Sequence, residues 1–356
     1  MLNSSGNLTI CQPQKTPTFI PLIFGFIFFV GFVLNCISLW IFWFKVKIWK
    51  PTVVLQFNLA IADAIFTPVA PLIVAYYLNN DWIFGLFFCR LTAFLLSTHT
   101  YGSIYFLTLI SIHRYFTVAQ NVKKKAFITK PYITKVCLII WGFLVFQGMP
   151  SFLVLETSEV NGATRCLSFH QTEHVFTFFV WIWLVFFFCL LIPFIITLVC
   201  YSLLIRYILR ANPMNTLSKV MFSKSVLTIF VSLLIFIICY IPVHINRSVS
   251  VSIILFYPSV CSLVKSVELG YSITWMLSAT NCCLDPIVYC FASERFQKIF
   301  TSCWTFHQRQ HLRDIKNYAQ GSQVKAPQDN HCTGSFLTKS ATESDSTSWE
   351  KVSTSL

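Results

Sequence analysis

The chain is 356 residues long, 56% of them hydrophobic and only 11% charged, with 37 phenylalanines. A soluble protein would carry roughly a quarter charged residues, so a water-soluble globular domain is excluded. The formal charge of +13 would suit nucleic acid, but the basic residues flank apolar runs, which points to a membrane and to no nucleic-acid partner.

Seven apolar runs occupy about 18–44, 52–79, 88–118, 133–155, 174–205, 222–256 and 266–291, each of about 20 residues or more and so long enough to cross a hydrocarbon core. A helix satisfies its own backbone hydrogen bonds in lipid, so the expected fold is an all-α membrane protein, a seven-transmembrane helix bundle. Ahead of the first run, residues 1–17 form an outer tail. Its start, MLNSSGNLTI, lacks the basic n-region of a cleavable signal peptide, so the first helix is expected to serve as its own insertion signal. Asn3 in NSS and Asn7 in NLT are glycosylation sequons; Asn246 in NRS falls inside the sixth run and is not expected to be modified.

Polar residues are expensive inside lipid, so those present mark buried sites or function. The first run has Asn35 after Gly31, and the second reads NLAIAD, with Asn58 and Asp63. The third has His99 and Ser103 and ends in SIHRYFTV; the fourth has Trp141 and Pro150. Pro193 and Tyr201 lie in the fifth. The sixth reads FIICYIPVHINR, where Pro242 is expected to kink the helix with His244 and Arg247 beyond it. The seventh ends NCCLDPIVY, with Asp285, Pro286 and Tyr289.

Charge alternates between the loops. Lys45, Lys47 and Lys50, then Arg114, Lys123, Lys124, Lys125 and Lys130, then Arg206, Arg210, Lys219 and Lys224, then Arg295, Lys298, Arg309 and Arg313 fall on one side. The other side holds only Arg90, Arg165 and Lys265 among Asp81, Glu156, Glu159, Glu173 and Glu268. Lys/Arg-rich loops stay cytoplasmic, so a plasma-membrane protein with its N-terminus outside and its C-terminus inside is expected. Most of the 14 cysteines lie within the runs, but Cys11, Cys89, Cys166 and Cys261 fall at or near the outer face, and an even number there invites pairing.

After the seventh run, ASERFQKIF mixes Phe291, Phe296 and Phe300 with Arg295 and Lys298, the pattern of a short amphipathic eighth helix on the membrane surface. Cys303 at its end is a candidate palmitoylation site. The body then spans 18–304, and 305–356 has the composition of a disordered cytoplasmic tail. Its terminal TSL has the form of a ligand for a PDZ-domain protein.

Taken in order, these residues resemble the rhodopsin-like (class A) G-protein-coupled receptors over about 18–304. The resemblance is carried by Asn35, LAIAD ending at Asp63, Trp82 with FG before Cys89, and His113-Arg114-Tyr115. Trp141, Pro193 with Tyr201, Phe236-x-x-Cys239-x-x-Pro242 and DPIVY complete it. Each is weak alone, whereas the ordered set on seven helices is specific. The resemblance implies a Cys89–Cys166 disulfide. It also implies a G-protein-coupling end built on His113, Arg114, Tyr115, Tyr201 and Tyr289, and an activation core of Tyr240, Pro242, Asp285 and Pro286. In the family an acid precedes the arginine, which helps hold the resting state. His113 removes that full-time carboxylate and titrates near neutral pH, so raised constitutive signalling is expected. Tyr240 stands where the family usually has tryptophan, Asp285 where it has asparagine, and Asn121 where a loop proline is common.

Asp285, CYIPVHINR, CLDP and the His-Arg-Tyr triplet are similar to the purinergic and cysteinyl-leukotriene-like branch, which implies a second disulfide, Cys11–Cys261, and an anionic small-molecule ligand. His244 and Arg247 lie about one turn apart and share a helix face, and the guanidinium fork of Arg247 suits phosphate or carboxylate. Tyr101, His99 and Trp275 are placed with them in the expected pocket. Two further cationic positions of nucleotide-binding members are Ala93 and Trp275 here, which favours a singly charged or lipid-like anion over a nucleotide. Asp63, Ser103 and Asp285 are candidates for a structural sodium ion, a hard cation that takes oxygen ligands; no other cofactor is expected.

The function implied is ligand-driven population shift recognised by heterotrimeric G proteins and arrestin. A binding-only or arrestin-coupled receptor is the alternative that Tyr240, His113 and Asn121 keep open. Proton sensing by His99, His170, His174 and His244 has weaker support. A transporter would show internal repeats, which the sequence lacks. No catalytic residues are assigned: His170 and His174 have a metal-like spacing without a clustered third ligand.

Overall fold

The computed structural model describes residues 11, 17–119, 129–160, 162–166, 175–211, 216–292, 296, 297, 299 and 300, all within one compact unit, Met1–Trp304. The sequons at Asn3 and Asn7, the loop position Asn121, His170, His174, Cys303 and the terminal TSL lie outside the described residues.

Among the described residues six helices are long and apolar enough to cross a membrane: α1 (Phe19–Lys45), α2 (Pro51–Asn79), α3 (Gly85–Ala119), α4 (Lys130–Leu153), α5 (Phe176–Arg210) and α6 (Phe222–Phe256). The seventh, α7, is built of Cys261–Ala279 and Asn281–Ala292, joined through Thr280. The result is a seven-helix bundle, with a further helical turn at Phe296, Gln297, Ile299 and Phe300 whose Phe296 is buried against Phe42 and Tyr289.

Pi-helical turns at Phe186–Leu191 and Phe236–Tyr240 directly precede Pro193 and Pro242. Proline has no N–H and its ring presses on the carbonyl four residues back, so a widened turn absorbs the misfit without ending the helix. At Pro286 the solution differs. The Cys282 carbonyl, deprived of its helical donor, accepts from Asn35 Nδ2 at 2.8 Å, which ties α1 to α7. The break at Thr280 is bridged by its own hydroxyl, which donates to Leu277 O at 2.7 Å.

α3 runs through the middle, packing on α2, α4, α5 and α6. Helix contacts in lipid rely on small residues rather than on a hydrophobic drive. Gly102 shows this: a Cβ there would meet Ala62 Cβ at 2.9 Å, so α2 and α3 could not approach as they do. Many apolar side chains point outward to the bilayer, as they must in a membrane bundle.

On the side opposite the Lys-rich loops, β1 (Ser158–Val160) and β2 (Ala163–Arg165) form an antiparallel hairpin that turns at Gly162, φ 73°. It docks on the α2–α3 connection: Trp82 N–H donates to Thr164 O at 2.9 Å, and Thr164 N–H to Asp81 Oδ1 at 2.8 Å. The disulfide Cys89–Cys166 pins the hairpin to α3, and Cys11–Cys261 ties the N-terminal segment to the start of α7.

Several helix boundaries differ from those expected of the sequence: α5 runs to Arg210 rather than about 205, and α4 starts at Lys130 rather than about 133. α3 starts at Gly85, about three residues earlier, because Gly85 takes φ 78° and lets the chain turn sharply into the helix. The last helix starts at Cys261 rather than about 266 and is interrupted at Thr280. Its polar first turns, held by the tail disulfide, hide it from a hydropathy reading.

Candidate functional site

Three layers of polar side chains lie along the bundle. The outermost lines a cavity of 390 Å³ between α3, α4, α5, α6 and α7, largely apolar, with Arg247 on its wall. Among the described residues no carboxylate pairs with Arg247; the one histidine–carboxylate contact lies elsewhere. Tyr101, His244, Trp275 and Ala93 line the same cavity. His244 Nδ1 is 2.9 Å from the Tyr240 carbonyl, which can only accept, so that nitrogen carries the proton and Nε2 accepts from the Tyr101 hydroxyl at 3.3 Å. Arg247, one turn on, faces the same hydroxyl. The neighbouring Ser248 hydroxyl also lines the cavity, buried and without a partner.

His99 is a correction. The sequence places it in the ligand pocket, but it does not line the cavity. Its ring stacks on Phe66 at 5.6 Å, and its Nδ1 sits 3.2 Å from Ala62 O and 3.7 Å from Asp63 Oδ1. α3 rotates about 100° per residue, so His99 and Tyr101 face different partners despite their proximity in sequence.

Two residues of this region escape a reading of the sequence. Gln147 lines the cavity from α4, its carboxamide oxygen accepting from Ser97 Oγ at 2.8 Å. Asn281 joins the second layer below. Both are buried amides in apolar segments, the same signal that singles out Asn35 and Asn58.

The second layer is a buried polar core. Asp63 accepts from Ser103 Oγ at 2.9 Å and from Tyr289 OH at 3.2 Å. Asn281 Nδ2 donates to Tyr240 OH at 2.8 Å and reaches Asp285 Oδ2 at 3.5 Å. The carboxyl groups of Asp63 and Asp285 approach each other. Oδ1 of Asp285 and Oδ1 of Asn281 are buried with no hydrogen-bond partner. The two outer layers are therefore continuous, running Tyr101, His244, the Tyr240 carbonyl, the Tyr240 hydroxyl, Asn281 and Asp285. Tyrosine at 240 makes this possible, since its hydroxyl accepts from Asn281 whereas an indole N–H could only donate.

The third layer closes the Lys-rich end. His113 is 6% exposed, and neither ring nitrogen has a partner; Arg114 Nε and Nη2 are also unpartnered. No acid latches this arginine among the described residues. Tyr115 and Tyr201 pack with Val118, Leu204 and Ile229 between α3, α5 and α6, Tyr201 reaching Phe230 across a centroid distance of 6.4 Å. Tyr289 stands apart, turned up to Asp63 with its ring on Phe42 at 5.6 Å.

Residues 34–289 match the family of 7 transmembrane receptors (rhodopsin family). Purinoceptor 1 of Gallus gallus is 31% identical over 305 residues, covering 83% of each chain. The Homo sapiens purinoceptor 1 is 30% identical over 286 residues, 79% of this chain and 75% of its own. Purinoceptor 4 of Mus musculus is 32% identical over 285 residues, 78% and 77% respectively. With seven helices, both disulfides and the ordered polar layers in place, the chain belongs to the rhodopsin family of seven-transmembrane, G-protein-coupled receptors, in its purinergic branch.

Proposed function

We propose that this receptor binds an anionic, amphiphilic small molecule in the outer cavity and signals its presence to heterotrimeric G proteins from a plasma membrane, N-terminus outside. One observation carries the ligand class: Arg247 stands on the wall of a largely apolar cavity with no carboxylate partner among the described residues. Arg247 is half-buried, and an incoming carboxylate or phosphate would pair with its guanidinium through two parallel hydrogen bonds. The purinoceptor relatives favour a purine ligand, but Ala93 and Trp275 contribute no charge to the cavity, so a triphosphate would meet a single guanidinium. A singly charged amphiphile fits that balance better.

The coupling route follows the hydrogen bonds. An anion drawing on Arg247 competes for the Tyr101 hydroxyl, which holds His244; His244 in turn holds the backbone of α6 at Tyr240, just before Pro242. A shift there loosens Asn281 and Asp285 and favours the state in which the inner end of α6 moves away from Arg114. The ligand acts through its difference in affinity for the two states. The decisive assay is G-protein activation in transfected cells by nucleotides, leukotrienes, lysophospholipids and small carboxylates, with Arg247→Ala at matched surface expression. A response lost in the variant supports the proposal; one that survives removes Arg247 from the site.

A sodium ion suits the second layer. Asp63, Ser103 and Asp285 supply hard oxygen donors, Asp285 Oδ1 and Asn281 Oδ1 are unsatisfied, and two carboxyl groups facing each other call for a positive charge between them. The ion would stabilise the resting arrangement. Replacing choline chloride by sodium chloride should therefore lower agonist affinity in the native receptor and leave Asp63→Asn unaffected; an equal sodium effect in both would place the ion elsewhere.

A further inference from the structure

We propose that Gln147 is a specificity-determining residue of the outer cavity: its amide reads a neutral carbonyl on the ligand, set apart from the anionic end at Arg247. The ligand is then a carboxylate that carries an oxo or amide carbonyl farther along its chain. This rests on the anion site proposed above and specifies what occupies it.

The polar groups of the cavity are not spread evenly. One set stands on α6, where Arg247 and Ser248 line it. Ser248 is 2% exposed and its hydroxyl has no partner, so this wall holds an unused hydrogen-bonding group beside the guanidinium. The other set stands on α3 and α4, where Ser97, Thr100 and Gln147 line it, and none of these carries a charge. The lining that α5 and α7 add is mainly aromatic and aliphatic, through residues such as Trp181, Val185 and Trp275.

Half of the Gln147 carboxamide is engaged. The residue is 6% exposed, and its Oε1 accepts from Ser97 Oγ at 2.8 Å. Gly148 lets α3 come close enough for that bond, since a Cβ there would meet the Phe94 ring at 2.6 Å. The Nε2 donors make no hydrogen bond among the described residues, yet Nε2 is not sealed in as Asn281 Oδ1 is. Because Gln147 lines the cavity, those donors open onto it. A clamp between α3 and α4 would need only the Ser97 bond.

An amide N–H can only donate, so it calls for an acceptor. A second carboxylate would accept, but its charge would be buried against neutral groups, which is costly. A hydroxyl would bring a proton in need of its own acceptor, whereas a carbonyl brings none. A plain fatty acid would cover the amide and leave it unpaired, and a site built to hydrogen-bond an oxygen discriminates against the analogue that lacks it.

The test compares the potency of dodecanoate with that of 4-oxo-, 7-oxo- and 10-oxododecanoate for G-protein activation in transfected cells. The receptors are native, Gln147→Leu, and Gln147→Leu combined with Ser97→Ala, at matched surface expression. On the native receptor one oxo isomer should exceed dodecanoate by about tenfold, the worth of a hydrogen bond whose donor is otherwise buried unpaired. That advantage should disappear in Gln147→Leu, with the loss falling on the oxo isomer. The double variant leaves no serine unpaired and gives the same reading if the single one folds poorly. All four acids should fall silent in Arg247→Ala. The proposal is overturned if no oxo isomer is preferred by the native receptor. It is equally overturned if the preference survives in both variants, which would make Gln147 a clamp alone. If none of the four acids acts while another anion signals through Arg247, the carbonyl-bearing carboxylate fails and the anion site stands. If no anion acts through Arg247, the underlying site fails as well.

Discussion

At Arg247 and at Arg114 the same residue type serves two ends of the molecule, and in both places the guanidinium lacks a carboxylate partner among the described residues. The outer one faces a cavity that a ligand would fill. The inner one lies beside His113, whose ring nitrogens make no hydrogen bond, so among the described residues nothing acidic holds Arg114. Restoring an acid should restore the latch. His113→Asp is expected to lower basal G-protein activation in transfected cells at equal surface expression; an unchanged basal level would mean that the histidine is not the source of loosened coupling. Tyr240 offers a second test at this scale. Its hydroxyl accepts from Asn281, and Tyr240→Phe removes that acceptor. The buried amide then loses its shorter acceptor and keeps only the 3.5 Å contact to Asp285 Oδ2, at a cost of about 1 kcal/mol. Agonist affinity should hold while maximal signalling falls, a split that a purely structural role would not produce.

How far the sequence discloses these residues depends on what each one needs. Arg247, His244, Asp63 and Asp285 stand out because ionisable groups in apolar runs are costly wherever they point. His99 stands out for the same reason, but its direction is set by helix phase, which takes it away from the cavity and toward Asp63. Gln147 and Asn281 are neutral amides in runs dominated by phenylalanine, isoleucine and cysteine, and their role shows only once Ser97 and Tyr240 are beside them.

Among the elements, α5, α6 and α7 hold their prolines in two ways. α5 and α6 widen by a pi turn ahead of Pro193 and Pro242, so the bend stays within one helix. α7 instead exports its unsatisfied carbonyl to α1 through Asn35, whose Nδ2 donates both to Gly31 O at 2.9 Å and to Cys282 O at 2.8 Å. Asn35→Ala should therefore strip the Cys282 carbonyl of its donor and destabilise the α1–α7 pair by about 1–3 kcal/mol, the cost of an unmade buried hydrogen bond. Thermal unfolding of the purified receptor in detergent would register this as a lower midpoint, and an unchanged midpoint would mean that the carbonyl finds another donor. The existence and order of the helices are plain from apolar length. The early start of α7 is not, because its first turns are polar and their position depends on Cys11, 250 residues away in sequence.

Across the whole molecule, stability and signalling are separated by layer. The outer face is fastened by two disulfides and a hairpin hydrogen-bonded to the α2–α3 connection. The middle is a polar network in which most members have partners, and such networks gain from low dielectric when satisfied and lose when they are not. Its unsatisfied oxygens at Asp285 and Asn281, the unpartnered nitrogens of His113 and Arg114, and Arg247 with no carboxylate partner among the described residues are the points where a ligand, a cation or a G protein would change the balance. The most direct measurement is nucleotide exchange on a purified heterotrimeric G protein by the reconstituted receptor, native and Arg247→Ala, across the anion panel. One anion class should accelerate exchange on the native receptor and fail on the variant, with the two receptors equally folded by thermal unfolding. Acceleration that persists in Arg247→Ala would contradict an anion-gated receptor.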